Sequence, residues 1–138
     1  MDTVPAGITR AFRLELIGED GEATPLAAEL CYDRQDPYAV AAYFRSGDVE
    51  VKWVFARNLL AEGIYEPSGD GDIHVWPSVD ALGRAATVIE LASPDGEALI
   101  QAQTDELCDF LAGTEALVPS GTESEHVDVD GALTKILA

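Results

Sequence analysis

Two short runs combine histidine and carboxylates at a spacing that could hold a cation. Asp70, Asp72 and His74 fall at i, i+2 and i+4, so on a single strand they would share a face. His126, Asp128 and Asp130 repeat that spacing and run into Gly131. The second run resembles a calcium loop, D-x-D-x-D-G, but His126 takes the first position and Leu137 stands where a bidentate Glu is needed. The first is interrupted by Gly71 at a loop-to-strand boundary. Neither meets the ligand requirements of a metal site, so no metal and no cofactor is expected. Nucleophilic catalysis needs Ser, Thr or Cys beside a base and an orienting group. Ser93, Ser120 and Ser124 lack a G-x-S-x-G context, neither histidine lies in a motif that marks a base, and no GxGxxG or Walker sequence occurs. The chain is read as non-enzymatic, with no catalytic or cofactor-binding residue.

Contact chemistry is better represented. Trp53 and Phe55 could stack bases as aromatics do in single-strand binders, but they occupy one strand face with Val49 and Val51, and core packing is the better reading. Trp76 at a strand end suits a half-buried interface position. Arg57 and Asn58 open a helix on its polar side, where a solvated face competes with partner contact. Gly121, in a Pro-Ser-Gly turn, is expected to take a conformation closed to β-branched residues and to set how a last helix docks. These four, Gly121, Arg57, Asn58 and Trp76, are the partner-interaction candidates.

Charge narrows the partners. Eight basic residues against 26 acidic ones give −18 over 138 residues. Such a field repels polyanions, and sequence-independent nucleic-acid binding needs several Lys/Arg–phosphate contacts, so no nucleic acid is expected. The start MDTVPAGITRAF has neither the basic opening nor the apolar run of a signal peptide. No stretch approaches the roughly 20 apolar residues that span a bilayer, so a cytoplasmic protein with no direct membrane insertion is expected. Cys31 and Cys108 have no CxxC spacing and read as reduced structural thiols.

These residues must be positioned by a single domain over 1–138, with 1–8 as a flexible tail. Alternation marks strands at 9–17 and 26–33, a third opened by Asp36-Pro37, and a fourth, 49–55, after the Ser46-Gly47-Asp48 turn. Ala56, Leu59, Leu60 and Gly63 then fall on one helical face, with Gly63 suited to a left-handed C′ position. The order begins again with a loop over 64–71, a short strand at 72–76 stopped by Pro77, and paired strands at 85–92 and 97–103 about Pro94-Asp95-Gly96. Thr104 is expected to cap a helix carrying Leu107, Cys108, Phe110 and Leu111, ended by Gly113. A polar connector, 118–126, leads to a last helix near 131–137 capped by Asp128 or Asp130. The fold class is α+β: antiparallel sheets with short helices, in a strands-then-helix order that occurs twice.

The motifs DPYAV (36–40), WVFARNLLAEG (53–63), GDIHVWPS (71–78), SPDGEALI (93–100) and VPSGTE (118–123) occur in an order that resembles the SsgA-like family of actinomycete sporulation and cell-division proteins, its SsgB branch above all. The resemblance covers residues 9–137. It implies two antiparallel β-sheets in a Whirly-type fold, like that of single-strand-binding proteins, assembled as a homotrimer. It also implies a protein that marks the septum, binds the tubulin-like FtsZ and promotes Z-ring assembly. An SsgA-type paralogue and membrane-associated division proteins are its further implied partners. A single-strand nucleic-acid binder on the same fold is the alternative.

Overall fold

Alternating side chains produce strands through most of the chain, and the computed structural model, which describes residues 6–127, contains eight of them. In chain order they are β1 (Gly7–Ile17), β2 (Ala23–Asp33), β3 (Ala39–Ser46), β4 (Val49–Ala56), then helix α1 (Arg57–Gly63), β5 (Ser68–Asp70), β6 (Ile73–Val79), β7 (Ala85–Ser93), β8 (Gly96–Gln103) and helix α2 (Thr104–Leu117). A 3-10 turn over Glu123–His126 follows.

The expected pair of sheets is corrected to one curled antiparallel sheet in the order β4-β3-β2-β1-β8-β7-β6-β5. Each half is a four-stranded meander followed by a helix, which is the repeated order seen in the sequence. Within the sheet, the described residues of the two halves pair at Glu15↔Gln101, Leu16↔Ile100 and Ile17↔Leu99. Ahead of that seam β1 packs on α2 instead, with Phe12 edge-on to Phe110 at 6.1 Å between ring centroids. β5 lies within the expected 64–71 loop; three residues with a central glycine are too few to show alternation.

Several boundaries move for local reasons. β1 begins at Gly7, paired with Asp33, so residues 7 and 8 are strand, not tail. Pro77 does not stop β6 but pairs with Thr87, beyond the end of β5, where no second strand asks for its missing N–H. Thr104 is the first residue of α2, and its hydroxyl bonds that of Thr87 at 2.9 Å instead of capping the helix. Asp105 and Glu106 do occupy the first turn, where the helix dipole favours them.

Two glycines that read as helix ends have another purpose. Gly63 is helical, without positive φ, and a Cβ there would collide with Val75 of β6. Gly113 lies inside α2, and a Cβ would come within 2.9 Å of Ile8 Cδ1. Both let a helix lie against the sheet at backbone distance.

Helix α1 packs on β5 and β6, and α2 on β1, β7 and β8. Both therefore cover one end of the curled sheet. Along β4 the apolar face passes from buried to bare: Phe55 is buried, Trp53 half-buried, Val51 44% and Val49 61% exposed. The reading of all four as core is corrected; the helices reach only the Phe55 end. The expected last helix and its caps, Asp128 and Asp130, lie outside the described residues.

Candidate partner-interaction site

A helix C-terminus leaves carbonyls without intrahelical donors, and α2 has no basic residue in its last turn to meet them. Arg57, at the start of α1, supplies the cation from across the fold. Its Nη1 donates to the Thr114 carbonyl at 3.1 Å and the Val118 carbonyl at 2.7 Å. Its Nη2 donates to Glu123 Oε2 at 3.1 Å, and the guanidinium lies 5.0 Å from the centroid of the Tyr32 ring. Glu115 Oε2 stands 3.6 Å from Nη1. Arg57 Nε has no acceptor among the described residues. At 2% exposure this side chain is neither a solvated face nor a direct partner contact, and that reading is corrected. The solvated reading came from its place at the N-terminus of α1; the side chain turns inward because its acceptors lie on the end of α2.

Glu123 completes the junction. Its other oxygen, Oε1, accepts the Gly121 N–H at 2.6 Å, so one buried carboxylate ties the turn to Arg57. Its own backbone N–H holds its pKa below the usual carboxylate range, with the Arg57 and Gly121 hydrogen bonds adding to that against the cost of burial. Glu115 is also lowered, by the backbone and hydroxyl donors of Ser120 at 2.8 and 2.7 Å. Burial raises the Tyr32 phenol, whose O–H donates to the Pro37 carbonyl at 2.8 Å. Gly121 has φ +94, as its sequence context requires, with open space where a Cβ would stand.

Above this junction a cleft of about 330 Å³ runs between the helices, lined by Asn58, Ala61, Tyr65, Cys108, Leu111 and Ser120 among others. Asn58 is exposed at its rim and Tyr65 is 81% exposed. Three of the four sequence candidates thus converge: Arg57 beneath, Asn58 at the rim, and Gly121 beside Ser120. Trp76 lies apart, half-buried on β6, in a separate hollow with Leu82, Arg84 and Leu99.

Sequence reasoning did not find Glu115, Glu123 or Asp80. Asp80 staples the β6–β7 loop by accepting from the Leu82 and Arg84 backbone, the Arg84 side chain and Gln103. Those donors, the Arg84 backbone first, lower its pKa to about 2. The signal for Glu123 was its place within VPSGTE; nothing in periodicity singles out the other two.

The other constellations dissolve in the structure. Asp70 and His74 sit on opposite arms of the β5–β6 hairpin, with Asp72 in its turn, and His74 faces Glu90 at 3.5 Å. No group of three His, Cys, Asp or Glu able to hold a metal occurs among the described residues. Asp128 and Asp130 of the second run lie outside them. Ser93 closes a hairpin turn and Ser120 bonds Glu115. Cys31 and Cys108 are free and half-buried. Of the basic side chains, Arg45 is paired with Glu29 and Glu50, Arg84 with Asp80, and Arg57 is buried.

Comparison with known proteins places these features in context. The family model described as Streptomyces sporulation and cell division protein, SsgA, matches residues 26–123. The sporulation-specific cell division protein SsgB of Streptomyces coelicolor is 49% identical over 126 residues, 91% of each chain. The protein of the same description from Thermobifida fusca is 42% identical over the full length of both chains. The solved structure of an SsgA-like sporulation-specific cell division protein from Thermobifida fusca superposes with a TM-score of 0.86, at 41% identity over 98% of both chains. A second, from work relating SsgB mutations to longitudinal cell division during sporulation of Streptomyces coelicolor, gives 0.84 at 42% identity, covering 91% of this chain and 99% of that one.

Proposed function

This chain belongs to the SsgA family of sporulation and cell division proteins, and on that premise we propose that it is a non-enzymatic positioning protein that marks septum sites and recruits FtsZ to promote Z-ring assembly. FtsZ docks in the cleft between α1 and α2, with Asn58, Ser120 and the Gly121 turn at its rim. An SsgA-type paralogue and membrane-associated division proteins hold the complex at the septum. No helix among the described residues is long and apolar enough to cross a membrane.

The observation that supports the cleft is its foundation. Exposed contact residues stand directly on a buried Arg57–Glu123 pair that locks both helices, so the surface is presented in one geometry and loses little freedom on binding. The test is capture of purified FtsZ by Gly121→Val and Asn58→Ala. A φ of +94 disfavours a β-branched residue by roughly 1–2 kcal/mol, too little to unfold the domain. Both variants should melt as cooperative folded proteins and capture FtsZ about tenfold more weakly, about 1.4 kcal/mol. Folded variants that bind FtsZ as the parent does would remove the cleft from the interface.

A further inference from the structure

We propose that the helix-free end of the sheet docks a basic segment of another protein, which seats one bulky apolar side chain in the hollow there and sets Lys or Arg against the surrounding turns. The hollow measures about 170 Å³ and is almost wholly apolar, bounded by Leu16, Phe44, Val49, Val51, Trp53 and Ile100 among others. Phe44 and Ile100 are its buried floor, while Val49 and Val51 stand exposed at its margin. Its volume is close to that of a cavity that holds one benzene ring, so a single leucine or aromatic side chain fills it. An exposed apolar surface rimmed by polar residues marks an interaction site.

Strand direction decides what surrounds the hollow. Four turns close the sheet at this end: 18–22 between β1 and β2, 47–48 between β3 and β4, 71–72 between β5 and β6, and 94–95 between β7 and β8. They carry Glu19, Asp20, Glu22, Asp48, Asp72 and Asp95, all exposed, and no lysine or arginine. The turns at the opposite end, 34–38 and 80–84, are balanced, with Arg34 beside Asp36 and Arg84 paired to Asp80. Arg45, next to the 47–48 turn, lies on the outer face and is already held by Glu29 and Glu50 at 2.8 and 2.7 Å. The carboxylates at the helix-free end therefore stand without basic neighbours in their own turns.

Shape and charge select the same occupant. The hollow rewards one large apolar side chain, and the turns reward positive charge on either side of it. Nucleic acid and anionic lipid are repelled by that field, and a neutral polar segment gains from neither feature. The site lies at the other end of the sheet from the cleft between α1 and α2, so its failure would leave the reading of that cleft untouched.

The full chain supplies its own reporter. Trp53 lines the hollow and Trp76 lines a separate one, so Trp76→Phe leaves a single tryptophan at the site. The probe is a synthetic peptide with leucines between paired lysines; one control has glutamates for the lysines, the other serines for the leucines. The probe should change Trp53 emission saturably, and its affinity should fall as salt rises from about 0.01 M to about 0.15 M and the Debye length shrinks from about 30 Å to about 8 Å. At the higher salt, Asp48→Lys combined with Asp95→Lys should weaken binding about tenfold. Glu66→Lys combined with Asp109→Lys changes the net charge equally but away from these turns, and should bind as the parent does. Calorimetric titration of the parent gives the same affinities without Trp76→Phe. A probe that does not bind, either control peptide binding as well as the probe, or a reversed-turn variant that binds like the parent would overturn the proposal.

Discussion

The two ends of the sheet solve the same problem differently. At one end the apolar faces of β1, β6 and β7 are roofed by α1 and α2, and the roof is locked by Arg57, Glu115 and Glu123. At the other end Val49, Val51 and Trp53 extend past the helices. The helix-covered end gains its order from buried charge, while the bare end keeps apolar surface that a soluble chain ordinarily hides. Order at the first end follows from contacts within one chain; at the second, none of the described residues covers Val49 and Val51.

This contrast predicts a ranking of mutational costs. Arg57→Met should be the largest. It strands Glu123 without its cation and removes the donor to the Thr114 and Val118 carbonyls, and breaking one side of a buried pair costs about 3–5 kcal/mol. Urea unfolding measures it, and a loss below that of Trp53→Ala would erase the distinction between the ends.

Acid should act next, and at the same end. Glu115 and Glu123 have folded-state pKa values below their ordinary ones. The stability they contribute is therefore complete above the ordinary glutamate pKa and is lost as pH falls through the lowered values. Glu123→Gln should flatten the fall in melting temperature over that acid range. An unchanged slope would show that other carboxylates carry it.

Trp53→Ala should cost least. A fully buried Trp→Ala change costs about 3–5 kcal/mol, but Trp53 is only half-buried, so a loss of about 1–2 kcal/mol is expected. Thermal or urea melts distinguish these, and a loss in the full core range would mean the bare end is sealed in the single chain.

Much of this was legible in the residues. Alternation located seven of the eight strands, and the recurrence of strands followed by a helix gave the two meanders. What escaped was information carried between distant elements. Gly63 and Gly113 look like caps because a cap is the local reason for glycine, and the contacts that need them, Val75 and Ile8, are far away in the chain. Arg57 looks solvated because its acceptors lie on α2 and in the connector beyond it. Val49 and Val51 look buried because alternation reports which side of a strand is apolar and not how far along it the roof extends. At the site, Gly121 was readable from its turn, whereas the Glu123 link that joins it to Arg57 was not.

The seam between β1 and β8 has a consequence for how this chain finds its structure. Every other strand pairing joins neighbours in sequence and can close through a short turn. The three pairs at Glu15, Leu16 and Ile17 close a loop containing most of the molecule. The entropy of loop closure is thus concentrated in one short join. Two meanders that form from local contacts wait on that join, which makes it the slow, non-local step in an otherwise local topology.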